Sequence, residues 1–357
     1  MLHFAVFFGP CLPGLFFGAS MSSTPSTVSS FGIVPPSLDL LCIGNAIVDV
    51  LGEVTHEALA ALGSPPGGMT LVDAARAEAI EATFSPAAIM GGGSAANTAV
   101  VARRLGARVA YLGKVADDDA GRHYARDLLA QEVVYPSRPV AGAATPTARC
   151  IVLVTPDGQR TMHTYLGICT DFGREDVDEA TVRAAAVTYM EGYLFDKPGA
   201  QAAFIHAAEI AHAAGRKVAL TLSDSFCVER HRAAFRHLVA GHIDILFANE
   251  AEILALYGTA DLEAALALAA VDVELAVVTR SELGAVVLSG ATRHDVPASP
   301  VRVVDTTGAG DAFAAGFLAA FGRGDGLAAC AALGNRAAGA IIARIGARPG
   351  PDFALGA

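Results

Sequence analysis

The chain has 357 residues, no tryptophan, and charged side chains at only 17% of positions. Its six cysteines, at 11, 42, 150, 169, 227 and 330, are scattered and form no C-x-x-C pair. That argues against a disulfide framework or thiolate zinc module and fits reduced core thiols in a cytoplasmic protein. The ten histidines include no H-E-x-x-H, and His206 and His212 read as solvated or capping residues of a helix, so nothing speaks for zinc. Basic charge is scarce: the net charge is −11 and no basic run exceeds Arg103-Arg104. Nucleic acid is thereby excluded as a partner, whereas a local set of backbone N–H groups can still bind a phosphate. A clean membrane span is also missing. Residues 1–20 are apolar and Phe-rich, but Pro10, Pro13 and several glycines break them, and no Lys or Arg precedes the run. Neither a span nor a secretory signal is read there. Met21 opens a Ser/Thr/Pro-rich stretch, so we expect Met21 to be the natural first residue and 1–37 to be a disordered or extra segment.

What the chain does have is apolar mass. Hydrophobic residues make up 53%, much of that alanine, and glycine numbers 37, enough to bury a large core of helices packed tightly on a sheet. Short apolar runs at 40–44, 108–113, 186–190, 217–222, 243–247 and Leu275–Thr279 alternate with helical patterns such as 74–84, 117–130 and 327–343. Repeated β-α-β of this kind predicts a parallel sheet with helices on both faces. One interruption stands out. Ala148–Val154 and Arg160–Tyr165 are strand-like and separated by a Pro156-Asp157-Gly158 turn, which predicts a hairpin of a small separate sheet, such as a lid.

In open parallel sheets, ligands bind beyond the carboxyl ends of the strands. The residues at those ends are polar: Ser223-Asp224, Asn249-Glu250-Ala251-Glu252 and Thr279. Asn45 and Asp49 lie four apart and share one face of an extended segment, although each alone is an ordinary turn or edge residue. Gly91-Gly92-Gly93-Ser94-Ala95-Ala96-Asn97 runs into an apolar helix. It is neither a dinucleotide fingerprint nor a P-loop, which removes a Rossmann dehydrogenase. Bare backbone there lets a ligand approach closely, with Ser94 and Asn97 adding polar tips; a capped tight turn would look the same. Asp305-Thr306-Thr307-Gly308-Ala309-Gly310-Asp311 precedes another apolar helix. A glycine turn before a helix presents unpaired N–H groups and the positive helix end to an anion. Asp311, a carboxylate within an anion site, makes sense if it takes a proton rather than holding the anion.

These three segments, in this order, resemble the signatures of the ribokinase-like (PfkB-type) kinases of sugars and nucleosides. The resemblance covers the chain from about residue 38 to 349 and is nearest to adenosine kinases, through 242–250, through 220–223, and through the hairpin. It implies a three-layer α/β/α sandwich with a mainly parallel sheet, as a kinase domain over 38–355, and a β lid from about 46–72 and 145–168. It implies ATP and Mg²⁺, with a monovalent cation such as K⁺. Asp311 would be the base and Gly308, Ala309 and Gly310 the anion hole. Asn249 and Glu252 would organise phosphates and hydrated Mg²⁺, Asp305 the monovalent cation. Asn249, Thr279, Gly284, Gly308, Gly310 and Asn335 would line the ATP site. Asn45, Asp49, Gly92, Gly93, Ser94 and Asn97 would hold the acceptor. Ser281 stands where such kinases commonly carry glycine. Tyr193-Leu194-Phe195 offers the stretch where adenosine kinases often stack the purine on Phe. The expected reaction is ATP-dependent phosphorylation of a nucleoside hydroxymethyl group, adenosine to AMP, by a monomer or homodimer. The alternatives are a sugar kinase for ribose, fructose or 2-keto-3-deoxygluconate, and, in a different class, a non-catalytic nucleotide- or sugar-binding regulator.

Overall fold

The computed structural model describes residues 35–63, 65–350, 353 and 355. The expectations for Met21 and for 1–34 fall outside them. In chain order the strands are β1 (Leu38–Ile43), β2 (Ile47–Glu53), β3 (Met69–Leu71), β4 (Ala88–Gly92), β5 (Val109–Leu112), β6 (Ala148–Val154) and β7 (Arg160–Tyr165). They continue with β8 (Ala185–Glu191), β9 (Lys217–Thr221), β10 (Ile245–Asn249), β11 (Leu275–Thr279), β12 (Ala285–Ser289) and β13 (Thr292–Val296). Eight of them form one sheet in the order β13-β12-β11-β10-β9-β8-β1-β5. Its pairs from β11 to β5 are parallel, and β12 and β13 add an antiparallel edge.

The parallel strands are nearly continuous apolar runs because both sheet faces are covered. On one face Phe204, Phe235, Leu238 and Ile253 pack from helices over Leu41, Leu220 and Leu246. On the other, Val100, Phe313, Phe317 and Ile341 pack over Cys42, Tyr189 and Phe247. The outcome is the expected three-layer α/β/α sandwich.

The second sheet, β3-β7-β6-β2-β4, is the lid. Its register sorts side chains by face. Asp49 sits opposite Met90 and Cys150, Leu51 opposite Val152, and Val152 opposite Met162, so these share one side. Ile151 and Leu153 point the other way, into a small core with Leu59, Ala77 and Ile80 from the helices His56–Ala61 and Ala74–Glu81. One lid face is therefore packed and the other left for the cleft. The lid takes in Ala88–Gly92, beyond the two segments read from sequence. No single helix among the described residues is long and apolar enough to cross a membrane.

Candidate active site

A cleft of about 1300 Å³ runs along the carboxyl ends of the parallel strands, beneath the free lid face. Asp49, Gly93, Ser94, Asn97 and Asp311 line one end, and Asn249, Glu252, Thr279, Gly284 and Asn335 the other, with Gly308–Gly310 between. Three segments far apart in sequence thus meet in one space.

Asp311 stands in the first turn of the helix Ala309–Gly322. Ser94 Oγ donates to its Oδ1 at 2.6 Å and Asn97 Nδ2 to its Oδ2 at 3.2 Å. Both donors come from the start of the helix Ser94–Arg104, which reaches the site because Gly93 turns the chain at φ +92°, with a Cβ position only 2.1 Å from the Asn45 carbonyl oxygen. No other residue fits there. Burial pushes the Asp311 pKa up to about 6, against the hydrogen bonds from Ser94 and Asn97 and the charge of Arg348. A carboxylate at that value is mostly ionised at neutral pH yet basic enough to accept a proton in a transition state. Gly308 holds the turn before the helix at φ +78°. Of the expected anion-hole amides, that of Ala309 donates back to Thr306 O at 3.2 Å, leaving the flanking glycines and the helix end to face the cleft.

At the far end Asn249 and Glu252 form a reciprocal capping box on the helix Glu250–Tyr257. Asn249 Nδ2 donates to Glu252 Oε1 at 2.6 Å, and the Glu252 amide donates to Asn249 Oδ1 at 2.8 Å. Burial raises Glu252 to about 7, and nearby Asp224 adds to the rise. Asn335 Nδ2 bonds the Val296 and Pro297 carbonyls at 3.1 Å, tying the helix Leu327–Ile342 to the wall of the cleft. Ser281 adopts φ +50°, the left-handed backbone that favours glycine, which explains the glycine common at that position.

Three candidates sit differently from expectation. Asn45 lies before β2 rather than within it, and its amide is spent in the interior: Nδ2 donates to Glu191 Oε1 at 2.8 Å while the Cys169 thiol donates to Oδ1 at 3.1 Å. Gly92 likewise stays below the cleft, under the Asp49 carboxylate. Asp305, expected beside a monovalent cation, has both oxygens occupied. Arg160 of the lid pairs with Oδ2 at 2.5 Å, Gly346 N–H donates to the same oxygen at 2.9 Å, and the Thr307 hydroxyl donates to Oδ1 at 2.6 Å. The Arg160 guanidinium thus stands directly against Asp305.

Sequence reading missed Glu191, Arg160 and Arg348. Glu191 ends β8 at 1% exposure and accepts from Ala95 N and Asn45 Nδ2, each at 2.8 Å. Burial lifts it to about 7. A carboxylate at the end of an apolar strand was its available signal, the same one that identified Asn249. Of the aromatic stretch, only Tyr193 lines the cleft; Phe195 is buried against Phe235, ring centroids 4.6 Å apart.

Comparison with known proteins agrees with this geometry. Residues 82–352 match the family described as pfkB family carbohydrate kinase. The structure resembles the adenosine kinase from Sinorhizobium meliloti at 50% identity, covering 87% of this chain and 96% of that one, with a TM-score of 0.79. It resembles a probable sugar kinase from Rhizobium etli CFN 42 at 47% identity, covering 88% and 96%, with a TM-score of 0.80. By sequence it is 31% identical to the fructokinase of Klebsiella pneumoniae over 279 residues, 71% of this chain and 88% of that protein. The chain is a member of the pfkB family of carbohydrate and nucleoside kinases, phosphotransferases that act on an alcohol group.

Proposed function

We propose that the protein transfers the γ-phosphoryl of ATP to the hydroxymethyl group of a nucleoside, with adenosine as the first acceptor to test. The observation that carries this reading is the lid face. Ile47, Leu51, Met90, Val152 and Met162 line the roof of the cleft, with Asp49 among them. An apolar roof suits the flat face of a nucleobase, whereas a bare sugar would leave most of it against polar hydroxyls. The likeness to an adenosine kinase at 50% identity supports the same choice. Fructose or ribose remains the second reading, favoured by the packing of Phe195 into the core against Phe235 and by the sugar-kinase relatives.

The chemistry follows from the charges. Phosphoryl transfer passes through a loose transition state, so catalysis is positioning and charge stabilisation. Asp311 orients the acceptor hydroxyl and takes its proton as attack proceeds. Ser94 and Asn97 hold its two oxygens, leaving a lone pair for the hydroxyl. The glycine amides and the helix end offset charge on the transferring group. Glu252 is a hard carboxylate donor on the cleft wall. Glu252 would hold Mg²⁺ through water, in keeping with an ion that retains several waters beside one or two carboxylates, and the bound ion would offset the charge of the phosphates. At Asp305, the Arg160 guanidinium places a positive charge beside the anion turn.

ADP release measured across adenosine, other nucleosides, ribose, fructose and 2-keto-3-deoxygluconate tests the acceptor. Preference for a free sugar over every nucleoside would overturn the nucleoside reading.

A further inference from the structure

Arg348 lies in the loop after the helix Leu327–Ile342, yet its side chain is only 11% exposed. Its guanidinium packs over Gly91, where a Cβ would stand 2.9 Å from Nη1 and 3.1 Å from Nη2. Nη1 pairs with Asp127 Oδ2, and that oxygen also accepts the Gly91 N–H at 3.2 Å. Nε donates to Asn97 Oδ1 at 3.0 Å. Nη2 is buried and has no hydrogen-bond partner among the described residues.

The chemistry of Asn97 gives these contacts direction. A carboxamide has an acceptor end and a donor end, and a guanidinium only donates. With Arg348 against it, Asn97 must present Oδ1 to the arginine and therefore Nδ2 to Asp311. Without Arg348 the amide is free to flip and set its oxygen against the carboxylate. We propose that Arg348 is a positioning residue of the transfer reaction: anchored by Asp127, it locks Asn97 with its N–H toward Asp311 and supplies the positive charge that offsets the burial of that carboxylate. It rests on the reading of Asp311 as the base.

The surroundings make that charge matter. The other titratable groups felt by or coupled to Asp311 are Glu191 and Tyr189 of β8, Cys42 of β1 and Tyr193 just beyond β8. None is a cation, and Glu191 when ionised opposes the ionisation of Asp311. Arg160 acts instead on Asp49, which Arg348 also serves and which burial raises to about 6.

The test reads that titration in the ligand-free full chain carrying ¹³C-carboxyl aspartate. The Asp311 resonance is the one lost in Asp311→Asn. Its midpoint should lie near 6 in the native protein. It should rise by about one pH unit in Arg348→Met, the lower end of what a neighbouring opposite charge confers. It should rise less in Arg348→Lys, which keeps the charge. With adenosine as acceptor, the acidic limb of kcat/KM should follow these midpoints, so that the Arg348→Met deficit shrinks at alkaline pH. An unmoved Asp311 midpoint in folded Arg348→Met overturns the inference; the equally uncharged Arg348→Gln decides it in the same way if the Met variant does not fold. Failure of the base reading looks different: Asp311→Asn would then turn over normally.

Discussion

At the scale of the residue, Asp311 carries the sharpest expectation. Asp311→Asn should lower turnover by about 10²–10⁴-fold, the range for loss of a general base, with nucleotide affinity little changed. Steady-state kinetics with isothermal titration of ATP checks both halves, and near-normal turnover refutes the assignment. Gly93→Ala should cost about 1–3 kcal/mol for the positive φ alone, plus the clash with the Asn45 carbonyl, and a thermal melt within a degree of the native one would contradict it. The legible residues were those embedded in a pattern. Asp311 follows a glycine turn, and Asn249 and Glu252 follow an apolar strand. Glu191 was equally legible, being a carboxylate at the end of β8. Arg160 and Arg348 were not. Each is an ordinary surface-type charge in sequence, and each matters only because folding brings it to a partner: Asp305, 145 positions away, and Asn97, 251 positions away.

At the scale of the element, the small sheet over the cleft is proposed to move as a lid. Its hairpin was read to the residue, because alternation and a Pro-Asp-Gly turn are local signals. β3, β4, β12 and β13 were not. They are short, and the Met90-Gly91-Gly92 end of β4 and the polar Thr292–Val296 carry no strand period of their own; their register comes from the neighbours they pair with. The ion pair from Arg160 to Asp305 joins this lid to the anion turn, with the two side chains 16% and 11% exposed. Removing one partner of so sheltered a pair leaves the other unpaired and is costly. In Arg160→Gln, amide exchange across Ala148–Tyr165 should quicken about tenfold or more without ligand, as local opening becomes easier, while β9–β11 are unaffected. Adding adenosine should slow exchange in the same hairpin of the native protein. Hydrogen-exchange mass spectrometry resolves both, and a hairpin equally protected in the two proteins would remove the latch role from Arg160.

At the scale of the whole molecule, the site leaves a mark on stability. Burial is the main cause that raises Asp49 and Asp311 to about 6 and Glu191 and Glu252 to about 7. Because these values exceed those of the unfolded chain, the folded protein binds more protons than the unfolded one across the window from the ordinary values, 3.8 for the aspartates and 4.5 for the glutamates, up to those pKa values. The stability these four contribute is full below the window and lost as pH rises through it, on the order of 3 kcal/mol for each buried glutamate. Asp39, Asp118 and Asp305 are shifted downward by their partners and act oppositely, adding stability that disappears only in stronger acid. The net charge of −11 reinforces the first trend, since raising pH away from the isoelectric point near 5.3 increases self-repulsion. The ligand-free protein should therefore melt several degrees higher at about pH 5.5 than at about pH 8, the reverse of a protein dominated by surface ion pairs. Glu191→Gln separates the site from the general charge. The amide mimics the protonated acid, so the variant should match the native melting temperature at the acidic end and lose part of the decline toward pH 8. A native melting temperature that is flat or rising across that interval would mean that the buried acids ionise without cost, and that the cleft is wetter than its geometry implies.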